Sequence, residues 1–193
     1  MNYNSLNKIA ALKLLADREK LAQELPEVLA LADCEQLGPY HAEGDVLTHT
    51  KLVVQNLLEN ASPELIWAGI LHDVAKPLTK SEKERNGEII NQFIGHEKIG
   101  AEIAYNITGR LGLSEAKREK IRWLVANHMR ILSLPVMRPH KAISFVTHPN
   151  FPELLEILRG DIFGSRARTA AGEEKNREML KRAEEIYQKY CKK

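Results

Sequence analysis

The chain has 193 residues, 44% of them hydrophobic, enough to bury a core in one domain or at most two small ones. A formal net charge of +2 supplies no global field for nucleic acid or a membrane surface, and no stretch of about 20 apolar residues is present to span a bilayer. The two cysteines, Cys34 and Cys191, make no CxxC or other zinc spacing; they fit a reducing cytoplasm and leave any metal to histidine and aspartate.

In chain order the pattern is helical almost throughout, with no repeat, no low-complexity segment and no convincing run of alternating strands. "MNYNSLNKIAALKLLADREK" lacks a basic start and an uninterrupted apolar core, and reads as a helix rather than a signal peptide. Helices are expected over 5–24, over 27–36 after Pro26, and over 45–59. Ser62–Pro63 gives an N-cap followed by Pro at the first helical position, opening a helix to about residue 75 that Pro77 stops. The polar loop "TKSEKERNGE" follows; its position makes it the candidate mobile element over a site mouth. Helices 96–110 and 114–128 come next, the second with Ser114 as a cap. Pro135, Pro139, Pro149 and Pro152 punctuate the following stretch, with a short helix between the middle two. Residues 152–163 form another helix, and 173–190 an amphipathic one with Met179, Ala183, Ile186 and Tyr190 on one face. Glu173–Arg177, Glu178–Arg182 and Glu185–Lys189 are spaced for i,i+4 support. The expected fold class is all-α, a bundle of roughly eight or nine helices.

Residues three and four apart share a helix face, so the ionisable residues on apolar faces can be read directly. His49 lies with Val46, Leu52 and Val53; His72 with Leu65, Ala68 and Gly69; Asp73 with Ile66, Gly69 and Ile70. His96 lies with Ile99, Gly100 and Ile103; His128 follows Ile121, Leu124 and Val125; Asp161 follows Leu154, Ile157 and Leu158. One histidine on an apolar face is ordinarily a hydrogen-bonded core residue, and Asp73 alone would pair with Lys76 or cap a helix. Six such groups on five helices are better explained by one shared site. Neutral imidazoles with anionic oxygens are what a divalent cation needs, and the set does not choose among Mn, Fe, Co, Ni, Zn and Mg.

Neighbours on a helix point about 100° apart, yet His72 and Asp73 can both reach an ion seated between their directions. His49 and Asp161 from flanking helices complete a first metal site with them. His96 and His128 either ligate a second ion bridged by Asp73 or stay unliganded and donate to a substrate phosphate.

The ordered set His49, His72–Asp73, His96, His128, Asp161 resembles the HD superfamily of metal-dependent phosphohydrolases. "HDVAK" keeps a lysine three residues after the aspartate, and by similarity Lys76 sits near the phosphate. "YHAEGDVLTHT", "LHDVAKPLT", "GHEKIGAEIA", "LVANHMR" and "LRGDIFGS" together look like the HD domain that follows the nucleotidyltransferase part of bacterial CCA-adding enzymes. The likeness covers 27–168, giving an N-terminal helical extension over 1–26, an HD domain over 27–168 and a C-terminal amphipathic helix over 169–193. The 193 residues contain none of the Gly-Ser with paired carboxylates that a nucleotidyltransferase head uses, so the resemblance implies the hydrolytic part alone, linked in that family to phosphatase and 2′,3′-cyclic phosphodiesterase activity.

The expected function is therefore hydrolysis of a phosphomonoester or phosphodiester of a nucleotide, with one or two divalent cations lowering the pKa of water and polarising the phosphoryl group. Asp73 is expected to orient the water, and His96 or His128 to protonate the leaving oxygen if not ligating. Lys76, Arg130 and Arg138 are the candidate phosphate-binding cations, with Lys141 beside them. His41 is a candidate for orienting a neighbouring ligand; His140 and His148 fall outside the pattern, and "SEAKREKIR" reads as a solvated face. The competing class is a non-catalytic module binding tRNA or a nucleotide, with an RNA 3′ end as the possible partner. The terminal helices are candidates for packing on the domain or for contact between copies.

Overall fold

Short polar side chains start the helices where their sequence positions allow it. In the computed structural model, which describes residues 2–36, 44–85, 87–165 and 169–191, Asn7 opens α1 (Lys8–Ala16), Asp17 opens α2 (Arg18–Glu24), Asp45 opens α4 (Val46–Asn56) and Ser62 opens α5 (Pro63–Leu71). Each accepts a backbone N–H of the first turn, at 2.9, 3.0, 2.8 and 3.1 Å respectively. The continuous helix expected over 5–24 is thus broken at Asp17, whose carboxylate is spent on starting α2. The helix expected over 27–36 is shortened to α3 (Pro26–Leu29) and a 3₁₀ turn over Ala30–Asp33. Beyond it the chain is extended, because Glu35 pairs with Asp45 in an isolated bridge and Cys34 O accepts Val46 N–H.

After α5 the chain tightens to i→i+3 bonds, Val74 N to Leu71 O and Lys76 N to Asp73 O, before the short α6 (Lys76–Thr79). The segment expected as a polar loop then forms an antiparallel hairpin, β1 (Lys80–Arg85) with β2 (Glu88–Phe93), in the register Lys80↔Phe93 to Arg85↔Glu88. Asn-Gly at 86–87 is a two-residue hairpin turn signal, and Gly87 takes a φ of 81° that few other residues adopt. Charge hid the hairpin: β1 is a run of Lys, Glu and Arg with no apolar alternation.

The remaining helices are α7 (His96–Arg110), α8 (Glu115–Asn127), α9 (Pro139–Val146), α10 (Phe151–Gly164) and α11 (Ala170–Cys191), with a 3₁₀ stretch over Arg130–Val136. The fold is all-α apart from that hairpin. No helix among the described residues is long and apolar enough to cross a membrane. One apolar core joins α1 and α2 through Leu14, Leu15 and Leu21 to Trp67, Ile70, Leu124 and Phe151, all buried. The core takes in α11 through buried Leu180 and Ala183, and the Phe151 and Tyr187 rings stack at 5.4 Å. Of the expected i,i+4 pairs on α11, Glu173–Arg177 and Glu178–Arg182 form, at 3.7 and 2.5 Å.

A close helix approach positions the site. Gly160 and Gly164, one turn apart on α10, sit against Val53 of α4. A methyl on Gly164 would stand 2.9 Å from Val53 N, and one on Gly160 would stand 3.1 Å from Val53 O. Asp161 lies between these glycines and His49 one turn before Val53, so the backbone contact brings the two side chains together.

Gly164→Ala should therefore destabilise the fold by about 1–3 kcal/mol in urea denaturation, because backbone cannot yield to the added methyl. Helix propensity alone would stabilise the variant by up to about 1 kcal/mol. A gain in stability would show that α4 and α10 do not meet this closely.

Candidate metal centre

Five helices deliver the six ionisable groups to one place. His49 projects from the middle of α4, His72 and Asp73 from the tightened turn after α5, His96 from the first position of α7, His128 from the end of α8 and Asp161 from α10. Gly95 before His96 has a φ of 81°, which lets the chain leave β2 and start α7 without a loop. All but Asp161 are buried. They form two groups, His49–His72–Asp161 and Asp73–His96–His128, and within each the candidate ligand atoms lie within 4.8 Å of one another.

Asp73 joins the groups. Its Oδ2 lies 2.7 Å from Lys76 Nζ, 3.1 Å from His72 Nε2 and 3.7 Å from His49 Nε2. Its Oδ1 faces the other way, 3.3 Å from His96 Nε2 and 3.8 Å from His128 Nε2. On the far side, His49 Nε2 lies 3.0 Å from Asp161 Oδ1.

Backbone carbonyls decide which ring nitrogens face inward. His72, His96 and His128 each place Nδ1 against the carbonyl three residues earlier, Gly69, Phe93 and Val125, at 2.8, 2.6 and 2.7 Å. A carbonyl only accepts, so each Nδ1 carries a proton, and a ring with no second proton presents its Nε2 lone pair to the centre. The lone pairs then meet acceptors. His96 and His128 face each other through Nε2 at 3.1 Å, and His72 Nε2 approaches Asp73 Oδ2 without hydrogen-bond geometry. Such a set is stable only with a proton or a cation among its lone pairs, and imidazole nitrogens with carboxylate oxygens suit a divalent ion. The residues present fit a metal.

Burial alone would raise the Asp73 carboxyl, but the His72 ring, the Lys76 ammonium and its hydrogen-bonding neighbours hold it well below the ordinary carboxylate range. Asp161 is likewise lowered against its burial by the His49 ring beside it. Burial, then the neighbouring His72, pushes His128 down to about 3. Burial would also lower His96, yet the hydrogen bond and charge of Asp73 carry it above its ordinary value. Of the two facing rings, His96 is therefore the one that takes up a proton more readily.

The centre opens into a cavity of about 680 Å³. Asp73, Lys76, His96, His128 and Asp161 line its deep end; Phe93, Ile94, Met129, Leu132, Ile162 and Met179 form most of the wall. Lys76 is buried, with Nζ hydrogen-bonded to Gln36 Oε1 and 5.2 Å from the Phe93 ring centre. Arg130 and Arg138 are not brought to the cavity. The Arg130 guanidinium is exposed over the Phe145 ring at 4.5 Å, because residues two apart on a helical turn point nearly opposite ways and His128 points in. Arg138 is exposed at the N-cap of α9, and Lys141 is exposed on that helix. His148 stacks on Trp123 at 3.9 Å, and His41 lies outside the described residues.

Three contributors carried no motif: Gln36, the end of the hairpin at Gln92–Ile94, and α11 with Lys175, Asn176 and Met179. One of them had a readable signal. Asn176 shares the helix face of Met179 and Ala183, a polar residue on an apolar stripe.

The family model described as HD domain matches residues 45–188. The chain is 31% identical over 179 residues to the CC-adding tRNA nucleotidyltransferase of Thermus thermophilus, covering 91% of this chain and 39% of that protein. It is 33% identical over 142 residues to the A-adding tRNA nucleotidyltransferase of Deinococcus radiodurans, covering 71% and 31%. It is 33% identical over 129 residues to the multifunctional CCA protein of Halorhodospira halophila, covering 66% and 30%. The chain spans about a third of the length of these curated relatives.

The lowered His128 fixes a pH dependence for the metal-free protein. His128 stays neutral in the folded chain down to about 3, whereas unfolding frees it to bind a proton near its ordinary 6.5. Folding stability should fall as pH drops below 6.5. Asp73 adds to that loss as pH falls below its ordinary 3.8. His96 has the opposite sign: its contribution is complete below 6.5 and is lost as pH rises through its raised folded value. Urea denaturation in EDTA across this range, with assigned ring titrations by NMR, should show His96 titrating above its ordinary value and His128 silent above about pH 4. If the assigned rings of His96 and His128 titrated together near 6.5, the arrangement would be contradicted.

Proposed function

This chain belongs to the HD domain family, and from that premise we propose that it is a metal-dependent phosphohydrolase acting on a phosphomonoester or phosphodiester of a nucleotide, 2′,3′-cyclic nucleotides included. The observation that carries the reading is the meeting of two buried donor groups at one carboxylate, each Asp73 oxygen facing a different group. A structural core has no use for Nε2 lone pairs aimed at one another, whereas a cation-binding site requires them.

His49, His72, Asp73 and Asp161 are the residues to hold a first cation, with His96, His128 and the other oxygen of Asp73 available for a second. A bound divalent cation supplies acidity to water and charge to a phosphoryl oxygen. The chain's own groups do the rest. Lys76, held between Asp73 and Gln36, keeps a positive charge at the deep end of the cavity for the phosphoryl group. Asp73 accepts from and aligns a water, and its lowered pKa keeps it an acceptor. His96 carries the transferable proton at Nε2 for the leaving oxygen where it is not a ligand. The apolar wall keeps bulk water from the charges, strengthening each interaction among them.

The relatives named as tRNA nucleotidyltransferases favour a second reading, a module that holds tRNA or a nucleotide without turnover. One experiment separates the two. Purified protein is assayed on 2′,3′-cyclic AMP with Ni, Mn or Mg added, alongside Asp73→Ala. Turnover is expected in the wild type and should fall by more than about a hundredfold in the variant, whose metal content falls with it. No turnover on this or other nucleotide esters with any metal, together with RNA affinity that drops steeply with salt, would replace the hydrolase with the binding module.

A further inference from the structure

The cavity is divided chemically. Asp73, Lys76 and Asp161 put charge at the deep end, and Glu97 and Lys175 add one charge each elsewhere on the lining. The rest of the outer wall is mostly apolar, interrupted by Gln92 from β2, Asn176 from α11 and the Ser165 hydroxyl after α10. Among the described residues, no hydrogen bond engages either amide side chain. An amide spent on solubility needs no place on a cavity wall, whereas one beside apolar side chains gives a donor and an acceptor at fixed directions.

The wall is also held in place. From Leu180 onward α11 is anchored by its buried Leu180 and Ala183, by Arg159 to Glu184 at 2.6 Å and by the Phe151–Tyr187 stack. Asn176 and Met179 sit one turn before that anchor, so they project over the cavity from a rigid base. Gln92 and Phe93 are set by the hairpin register, Phe93 paired with Lys80 at its open end, away from the turn.

We propose that this outer wall is a nucleobase subsite, in which Phe93 and Met179 contact a flat heterocycle and Asn176 and Gln92 read its polar edge. The inference rests on the phosphohydrolase reading and deepens it by assigning the part of the substrate that is not phosphate. A second phosphate would need several cations along the wall, and among the described residues the lysine and arginine side chains lining the cavity are Lys76 at its deep end and one on the outer wall, Lys175. A bare sugar would need a wall rich in polar groups. A volume of about 680 Å³ lies within the roughly 300–1,000 Å³ of small-molecule sites, larger than a phosphoryl group needs. Selectivity thus comes from α11 and the hairpin, which contribute none of the six ligand candidates.

Nucleosides test this without turnover, because they carry no phosphate to hydrolyse. Binding of adenosine, guanosine, cytidine, uridine and ribose to the full chain with Mg is measured by ligand-observed NMR. At least one nucleoside should bind about tenfold or more tightly than ribose. Asn176→Ala and Gln92→Ala should each weaken that nucleoside by about tenfold and ribose by less than about twofold. If no nucleoside is preferred over ribose, or if both variants leave nucleoside binding unchanged, the subsite does not exist. Hydrolysis of 2′,3′-cyclic AMP without nucleoside preference would overturn this inference alone. Nucleoside preference without hydrolysis would overturn the hydrolase reading and leave the subsite standing.

Discussion

A carboxylate taken out of water costs several kcal/mol unless opposite charge and hydrogen bonds replace its hydration. Asp73 is 2% exposed, and the middle of this protein is arranged around that cost. Lys76 lies against one oxygen at 2.7 Å, His72 and His49 crowd the same oxygen, and His96 and His128 close on the other. Because the carboxyl is held below its ordinary range, the charge persists at neutral pH. Three of the surrounding rings are locked by backbone carbonyls with Nε2 pointing inward, so the centre sets one lysine against an excess of acceptors. Charge imbalance of this kind is what a cation relieves, and it links the fold of five helices to the proposed chemistry.

The centre is placed by backbone packing rather than by the ligands themselves. α4 and α10 touch through Gly160, Gly164 and Val53, and the ligand candidates His49 and Asp161 ride on that contact. His72, His96 and His128 stand at helix ends or starts, where the last or first turn leaves carbonyls and side-chain directions free to be set. Such a centre shifts as a unit only if the helices shift, which is the rigidity that a metal site requires.

Outside the centre, different elements decide what else enters. The hairpin and α11 reach the same cavity from parts of the chain about 85 residues apart, Gln92–Ile94 and Lys175–Met179. Neither supplies a ligand candidate, so in the proposed function holding phosphate and choosing its ester fall to separate segments. A change at Asn176 or Gln92 therefore leaves the lone pairs and carboxylates of the centre in place.

The amino-acid sequence by itself determined the all-α class and the convergence of His49, His72, Asp73, His96, His128 and Asp161. Apolar periodicity is local, and it reports which side chains face a core wherever the helix spacing is regular. It also reported the cap at Ser62, because capping uses side chains within one turn. It missed the break at Asp17, where an aspartate reads equally well as helix surface and as cap, and the hairpin, where charged residues mask an Asn-Gly turn. Only the tertiary structure decided the rest. It paired the six groups into two triads around Asp73, turned Arg130 and Arg138 away from the cavity, and brought Gln36, Gln92 and Asn176 toward it. The reason is physical: which side chains meet across helices depends on the angles and distances of helix packing, here set by two glycines against Val53, and no periodicity along one segment encodes them.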